Sequence, residues 1–308
     1  MNEILILMAT YNGERYVEEQ LDSIINQSCQ SWDMIISDDN STDGTCELIN
    51  KKIENLTHKI SLVMNKGTHG AKGNFAYLMK LAGDYDYIMF SDQDDVWDKD
   101  KIRYSLKKMR EIEYEKGKDS PVLVYVDKED VDAKLAPLTK REITYKNDFL
   151  SILAQDPVYG CTMMINKALF SRVRDVPPYA QMHDYYIALV ASICRGIHRV
   201  PLKLIKYRHH SSNVTGGINN YSLIGKFLTW RRMNDGIELS LLQNYHFCKE
   251  NFEIQAAKEF VDMIDSRPLA RILKAIKLRY RRATICQTFR LYFVLFSMPY
   301  PLADRFKI

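Results

Sequence analysis

The feature that most constrains this chain is an alternation in its first half. Short apolar runs at residues 4–9, 32–36, 60–64, 87–90 and 122–126 are separated by stretches with helical spacing. In 16–25, Val17, Leu21, Ile24 and Ile25 share one helical face. A second helix is expected to open at Thr42 or Asp43 and run through Ile49, and a third to follow Gly73-Asn74 with Phe75, Leu78 and Met79 turned inward. Residues 101–115 form a charged amphipathic helix. Strands joined by helices of this length make right-handed βαβ units and a mostly parallel sheet. Such sheets bind ligands outside the carboxyl ends of their strands. Polar clusters follow strand after strand at that end: Thr10-Tyr11-Asn12, Asp38-Asp39, Asn65-Lys66-Gly67 and Asp92-Gln93-Asp94.

Residues 159–216 look less regular, with a helix around His183-Asp184. From about Tyr221 the pattern is helical only, so a boundary is expected between a domain of 1–220 and a helical region of 221–308. The 308 residues, 46% hydrophobic and 27% charged, suit a folded enzyme-sized chain and exclude a disordered or fibrous one. A net charge of +4 gives no reason to expect a nucleic-acid partner. The six cysteines form no Cys-x-x-Cys pair, so a zinc ribbon has no anchor, and they read as reduced thiols of a cytosolic protein. The N-terminal apolar run lacks a basic flank and is too short for a signal peptide. No uninterrupted apolar stretch reaches the roughly 20 residues of a spanning helix.

Asp92-Gln93-Asp94 is the sharpest signal. Two carboxylates two residues apart at a strand end can face one cation, and oxygen ligands of this type suit Mg²⁺ or Mn²⁺ beside substrate phosphates. In isolation the same pattern reads as a solvated acidic turn before a helix; the strand ahead of it and the companion clusters favour the metal. Asp38-Asp39 could accept hydrogen bonds from a base or ribose, or simply hold a turn. Thr10, Tyr11 and Asn12 could hold a base or form an ordinary turn. Gly67, Gly70 and Gly73 match neither a dinucleotide fingerprint nor a P-loop, and point to close backbone approach near Lys72 and Asn74. Asp184 could be a general base or a helix-start carboxylate. His209 and His210 could supply a metal ligand or be a surface pair.

Taken in order, 9–16, 38–45, 65–74, 90–97, 160–162, His183-Asp184 and 207–213 resemble glycosyltransferase family 2, over roughly residues 2–216. The Ser91-Asp-Gln-Asp-Asp-Val-Trp97 run is particularly similar to bacterial rhamnosyltransferases that build cell-wall, capsular or O-antigen polysaccharide. The resemblance implies an α/β GT-A (Rossmann-like) nucleotide-sugar-binding domain with a mostly parallel central sheet, plus a C-terminal helical extension. It implies a nucleotide-sugar donor, dTDP-rhamnose first, held by Thr10, Tyr11, Asn12, Asp38, Asp39, Lys72, Asn74, Asp92 and Gln93. Asp92, Asp94 and His210 would hold Mg²⁺ or Mn²⁺. Asp184 would be the catalytic base of an inverting single displacement, with Gly160, Cys161, Thr162 and His183 on the acceptor side. Tyr185-Tyr186 departs from the Trp that relatives often carry after the Asp. A transferase using another nucleotide sugar (a UDP-hexose), a nucleotidyltransferase, and a noncatalytic carbohydrate-binding scaffold of the same fold are the competing readings.

The C-terminal region changes the meaning of the charge. From Arg267 onward ten Lys and Arg stand against one acid, Asp304, while the rest of the chain holds 33 basic against 38 acidic residues. Leu269, Ile272, Leu273, Ile276, Tyr280 and Ala283 share one helical face, with Arg271, Lys274, Lys277, Arg281 and Arg282 mostly on the other. An aromatic run follows at 289–296. Such a segment suits either the surface of a membrane or packing on the catalytic domain with a solvated basic face. The first option fits a lipid-linked glycan acceptor at the inner face of the cell membrane.

Overall fold

A computed structural model describes residues 2–54, 56–139, 145–210 and 223–300. Ser211, Ser212 and Asn213 of the last matched motif, the expected boundary at 220/221, and Pro301, Arg305 and Lys307 lie outside the described residues. The chain divides into two compact units. One takes in 1–141, 158–176 and 182–216; the other takes in 142–157, 177–181 and 217–308.

The first unit is built on an eight-stranded sheet of order β3-β2-β1-β4-β7-β6-β8-β5. Its strands are β1 (Ile4–Thr10), β2 (Trp32–Asp38), β3 (Ile60–Met64), β4 (Tyr87–Ser91), β5 (Val96–Trp97), β6 (Leu123–Val131), β7 (Met163–Asn166) and β8 (Ile197–Arg208). Four of the seven pairings are parallel. The helices are α1 (Val17–Ile25), α2 (Thr45–Ile53), α3 (Ala71–Leu81), α4 (Lys101–Lys116), α6 (Lys167–Val173) and α7 (His183–Ile193), with α5 (Phe149–Ala154) in the second unit. β1 is buried along nearly its whole length because it lies inside the sheet, which is why it reads as an unbroken apolar run. Strand order reverses beside it: the chain moves outward through β2 and β3, then returns to lay β4 on the other side of β1. Thr10 stands opposite Asp38, and Met8 opposite Ser91. The polar clusters that follow β1, β2 and β4 therefore meet at a topological switch point.

Three strands were not anticipated. β5 has two residues and β7 four, too few to show a period. β8 has twelve, but Pro201 interrupts it, and proline normally argues against an interior strand. The conflict is resolved by a bulge: Val126 pairs with Val200 and Asp127 with Lys203, so Pro201 and Leu202 have no partner in β6. Two helix starts also differ. α2 begins at Thr45 with Gly44 as its cap residue, so neither Thr42 nor Asp43 is the N-cap. Asp43 accepts from Thr45 N at 3.1 Å, and Glu14 accepts from Gly44 N at 3.0 Å, satisfying that end from the side. α3 begins at Ala71, which places Lys72, Gly73 and Asn74 in its first turn.

The second unit is helical: α5, α8 (Leu223–Glu250), α9 (Gln255–Ile264), α10 (Pro268–Lys277) and α11 (Ile285–Ser297). Phe247, Phe260, Ile264, Tyr280, Leu291 and Leu295 are buried in it. Tyr280 donates to the Leu153 carbonyl at 2.8 Å, and the Thr284 side chain caps α11 in a reciprocal box with Gln287. Of the two options for α10, the apolar stripe is the face left exposed, while one residue of the basic face turns inward. Arg271 is fully buried, with Nε donating to Ile264 O at 3.0 Å and Nη1 to Leu295 O at 2.7 Å, whereas Leu269, Leu273 and Ile276 are exposed. A guanidinium has five donors, and here the free carbonyls at the ends of α9 and α11 accept from it. Among the described residues, no helix is long and apolar enough to cross a membrane.

Candidate active site

The turn between β4 and β5 carries Asp92, Gln93, Asp94 and Asp95. Gln93 fastens it to the end of β1: the Tyr11 amide donates to Gln93 Oε1 at 2.8 Å, and Gln93 Nε2 donates to Tyr11 O at 2.9 Å. Gly13 permits this approach, since a Cβ there would come within 2.2 Å of Gln93 Oε1. The Gln93 amide is thus engaged in holding the two loops together. The Tyr11 ring is 56% exposed beside it.

Asp94 Oδ2 and His210 Nε2 lie 2.7 Å apart, although 116 residues separate them in sequence. The His210 ring also packs on Tyr16, with centroids 4.8 Å apart. β8 delivers His210 to this position, and Arg208, the last residue of that strand and two positions before His210, fixes the geometry. Its buried guanidinium donates through Nε to Asp94 O at 2.7 Å, through Nη1 to Ala133 O at 2.8 Å and through Nη2 to Glu19 Oε2 at 2.5 Å. Its own amide donates to Asp95 Oδ1 at 3.1 Å. No sequence pattern marks this role, because it arises from β8 returning beside β5. Arg208→Leu is expected to cost about 3 kcal/mol, since it leaves buried acceptors without a donor; urea unfolding measures it.

Asp184 lies in the first turn of α7, where Oδ2 accepts from Gly160 N at 3.0 Å and Oδ1 from Tyr185 N at 2.8 Å. Its charge reaches the same centre. Burial raises the Asp92 carboxyl well above the usual range, and the charges of Asp95, Asp94 and Asp184 raise it further. A buried carboxyl whose ionisation is opposed by neighbouring carboxylates makes a favourable site for a divalent cation. Carboxylates with an imidazole suit Mn²⁺ or Mg²⁺. A second grouping, Asp92, Asp95 and Cys161, brings its ligand atoms within 4.8 Å of one another. Asp95 is already bonded to Arg208 N, and Lys101 Nζ, fully buried, donates to Cys161 O at 2.6 Å behind it. Burial lowers the Lys101 pKa to about 7, against the pull of Cys161, Asp95 and Asp92. By donor chemistry Asp92, Asp94 and His210 suit the implied metal better than the thiol of Cys161; of these, Asp94 and His210 are paired directly, while the ligand atoms that lie together with those of Asp92 are on Asp95 and Cys161.

Beyond the end of β2, Asp39 accepts from Asn65 Nδ2 and Gly70 N, each at 2.7 Å, and meets His69 Nδ1 at 2.8 Å. Burial alone would raise its pKa, but the bonds from Gly70, Asn65 and His69 outweigh it and hold the carboxyl below its usual range. A Cβ at Gly73 would fall 1.9 Å from Thr68 O, so glycine is what lets loop 66–70 lie against α3. Lys72 lies in the same helical turn.

Several expected contacts are instead supports. Asp38 is fully buried and accepts from Thr10 Oγ1, Ser41 N and Ser41 Oγ, each at 2.7 Å. Thr10 is thereby turned inward. Asn74 is buried and donates to Ser37 O at 2.8 Å, tying α3 to β2. Asn12 accepts from Thr42 N at 2.8 Å across the turn. Cys161, Thr162 and His183 are buried, and His183 stacks on Phe75 with ring centroids 4.0 Å apart. Burial lowers the His183 pKa despite the Asp184 charge, so it serves as a neutral packing residue. His209 is drawn to Asp130 Oδ1 at 2.5 Å, away from Asp94.

Comparison with known proteins bears on the family and the fold. The chain is 46% identical over 104 residues to the dTDP-rhamnosyl transferase RfbG of Shigella flexneri, a match spanning 32% of this chain and 35% of that protein's length. It is 25% identical over 252 residues to the UDP-Glc:alpha-D-GlcNAc-diphosphoundecaprenol beta-1,3-glucosyltransferase WfgD of Escherichia coli, covering 79% of this chain and 90% of that one. In fold it is similar to the mannosyltransferase PcManGT of Pyrobaculum calidifontis, solved with GDP-Man and Mn²⁺ (TM-score 0.55, 13% identity, 99% of this chain and 83% of that one). The family model for Glycosyl transferase family 2 matches residues 5–170, more than half of the 308. On that match, with the GT-A architecture described above, the chain belongs to glycosyl transferase family 2.

Proposed function

We propose that this protein is an inverting, metal-dependent glycosyltransferase of bacterial surface-polysaccharide synthesis. It moves a sugar, L-rhamnose from dTDP-rhamnose, onto a hydroxyl of a lipid-linked glycan at the inner face of the cell membrane. The observation that carries the reading is the pairing of Asp94 with His210 beside Asp92, whose carboxyl feels the charges of Asp94 and Asp184. Asp92, Asp94 and His210 would hold Mg²⁺ or Mn²⁺, which when bound takes up charge on a departing nucleoside diphosphate. Asp39 and Lys72 receive the nucleotide, with the exposed Tyr11 ring as a packing surface for the base. Asp184 accepts the proton of the acceptor hydroxyl as that oxygen bonds to the anomeric carbon. The carbon–oxygen bond to the diphosphate breaks on the opposite side, and its electron pair leaves with the diphosphate. Gly160 holds Asp184 through its amide, while Cys161, Thr162 and His183 keep that edge in place.

Support for rhamnose comes from the name of the Shigella relative and from residues 91–97; support for a lipid diphosphate acceptor comes from the name of the Escherichia relative. A thermal-shift panel of dTDP-, UDP- and GDP-sugars with Mn²⁺ tests the donor. The expected result is stabilisation by dTDP-rhamnose above the others; equal indifference to every nucleotide sugar counts against the reading.

A further inference from the structure

The exposed faces of α10 and α11 are an anomaly for a water-facing surface. On α10, Leu269, Leu273 and Ile276 are 67%, 61% and 54% exposed, at spacings that form one stripe. On α11, Ile285, Phe289, Phe293 and Phe296 form a second stripe, with Ile285 at 88% and Phe289 at 74%. Each helix keeps its other face for the interior, through Arg271 and Ala275 on α10 and Leu291, Val294 and Leu295 on α11. The two helices pack on each other within the second unit. Large contiguous apolar surface on a folded protein marks a place where something binds.

The charge around these stripes identifies the occupant. Residues 267–300 hold eight Lys and Arg and no acid, and Arg267, Lys277, Arg279 and Arg281 are exposed. A second copy meeting this face across a two-fold axis would bring the same cations opposite themselves. An anionic bilayer presents the complementary charge, and its interface accepts aromatic and aliphatic side chains together. We infer that the Leu273/Phe289 face of α10 and α11 docks on the anionic surface of a lipid bilayer. This rests on the membrane-side setting proposed above and gives it a specific surface. It also replaces the packing alternative for the C-terminal segment, because the apolar stripe of α10 is the one left outside.

Sedimentation of the full chain with vesicles of phosphatidylcholine, with and without phosphatidylglycerol, tests it. Partitioning is expected on the anionic vesicles and to be weaker on the neutral ones. Leu273→Ser/Phe289→Ser is expected to lower partitioning roughly tenfold or more, because two inserted apolar side chains are lost. Lys277→Glu/Arg281→Glu is expected to weaken binding to the anionic vesicles alone. All four positions are exposed, so thermal unfolding should be unchanged. Undiminished partitioning of both variants overturns the inference, as does a wild-type protein that ignores anionic vesicles. A wild-type dimer that the apolar variant converts to monomer would assign the face to a second copy. Transfer to a water-soluble acceptor, measured without vesicles, separates the two claims: its loss in the wild type sinks the transferase reading and leaves lipid partitioning standing.

Discussion

Asp94→Ala is expected to lower sugar transfer by roughly a thousandfold while leaving the fold intact, since removing one preorganised group that stabilises the transition-state charge has effects of that order. The side chain of Asp94 is paired with His210, while its backbone carbonyl remains held by Arg208. The substitution thus removes a ligand and keeps the turn. Chelation by EDTA should lower wild-type activity to the same floor, and added Mn²⁺ should restore the wild type but not the variant. Isothermal titration of Mn²⁺ in the presence of nucleoside diphosphate locates the loss: binding should weaken in Asp94→Ala and in His210→Ala. Equal activity of wild type and Asp94→Ala over a range of Mn²⁺ concentrations would remove Asp94 from the metal's ligand set.

Asp184→Asn should act differently. The amide keeps the size of the carboxylate and can still accept from Gly160 N through its oxygen, but it cannot take up a proton. Transfer should fall by about a hundredfold to ten-thousandfold, the usual range for loss of a positioned general base, with donor binding little changed. The contrast between the variants is itself informative. Asp94→Ala should weaken metal-dependent donor binding and turnover together, whereas Asp184→Asn should weaken turnover alone. A variant at Asp184 that keeps full turnover would leave that residue as the carboxylate that bonds Gly160 and Tyr185 and nothing more.

Much of the first unit was legible because its strands are buried on both faces. β1 and β4 have no water-facing side, so their sequences carry no polar alternation and stand out between helical patterns. β8 was hidden for the opposite reason: Pro201, Lys203 and Lys206 break any simple period, and only a bulge against β6 lets the strand continue. The site was legible as residue types in order, and less so as roles. Asp38 and Asp39 are neighbours of the same type, yet one turns inward to Thr10 and Ser41 while the other meets loop 65–70. Sequence spacing cannot separate them, because the outcome depends on where β3 and α3 place their ends. Arg208 was visible as part of a motif, but its grip on Asp94 and Glu19 depends on contacts more than a hundred residues away. On α10 the amphipathic period is present, and the sequence leaves open which of its two faces is covered. A helical period says that two faces differ; it does not say which one the rest of the unit will cover, and here the carbonyls of Ile264 and Leu295 draw Arg271 inward.

The most direct test of the account is the phosphorus NMR spectrum of a reaction containing the full chain, Mn²⁺, dTDP-rhamnose and a lipid-linked glycan acceptor. Sugar transfer predicts that the donor signals give way to those of a nucleoside diphosphate, with no pyrophosphate, and that Asp94→Ala and Asp184→Asn leave the donor intact. Appearance of pyrophosphate would place the chemistry at the α-phosphorus and make the protein a nucleotidyltransferase. Consumption of donor at an undiminished rate by both variants would contradict the assignment of the metal-binding and base roles on which the mechanism stands.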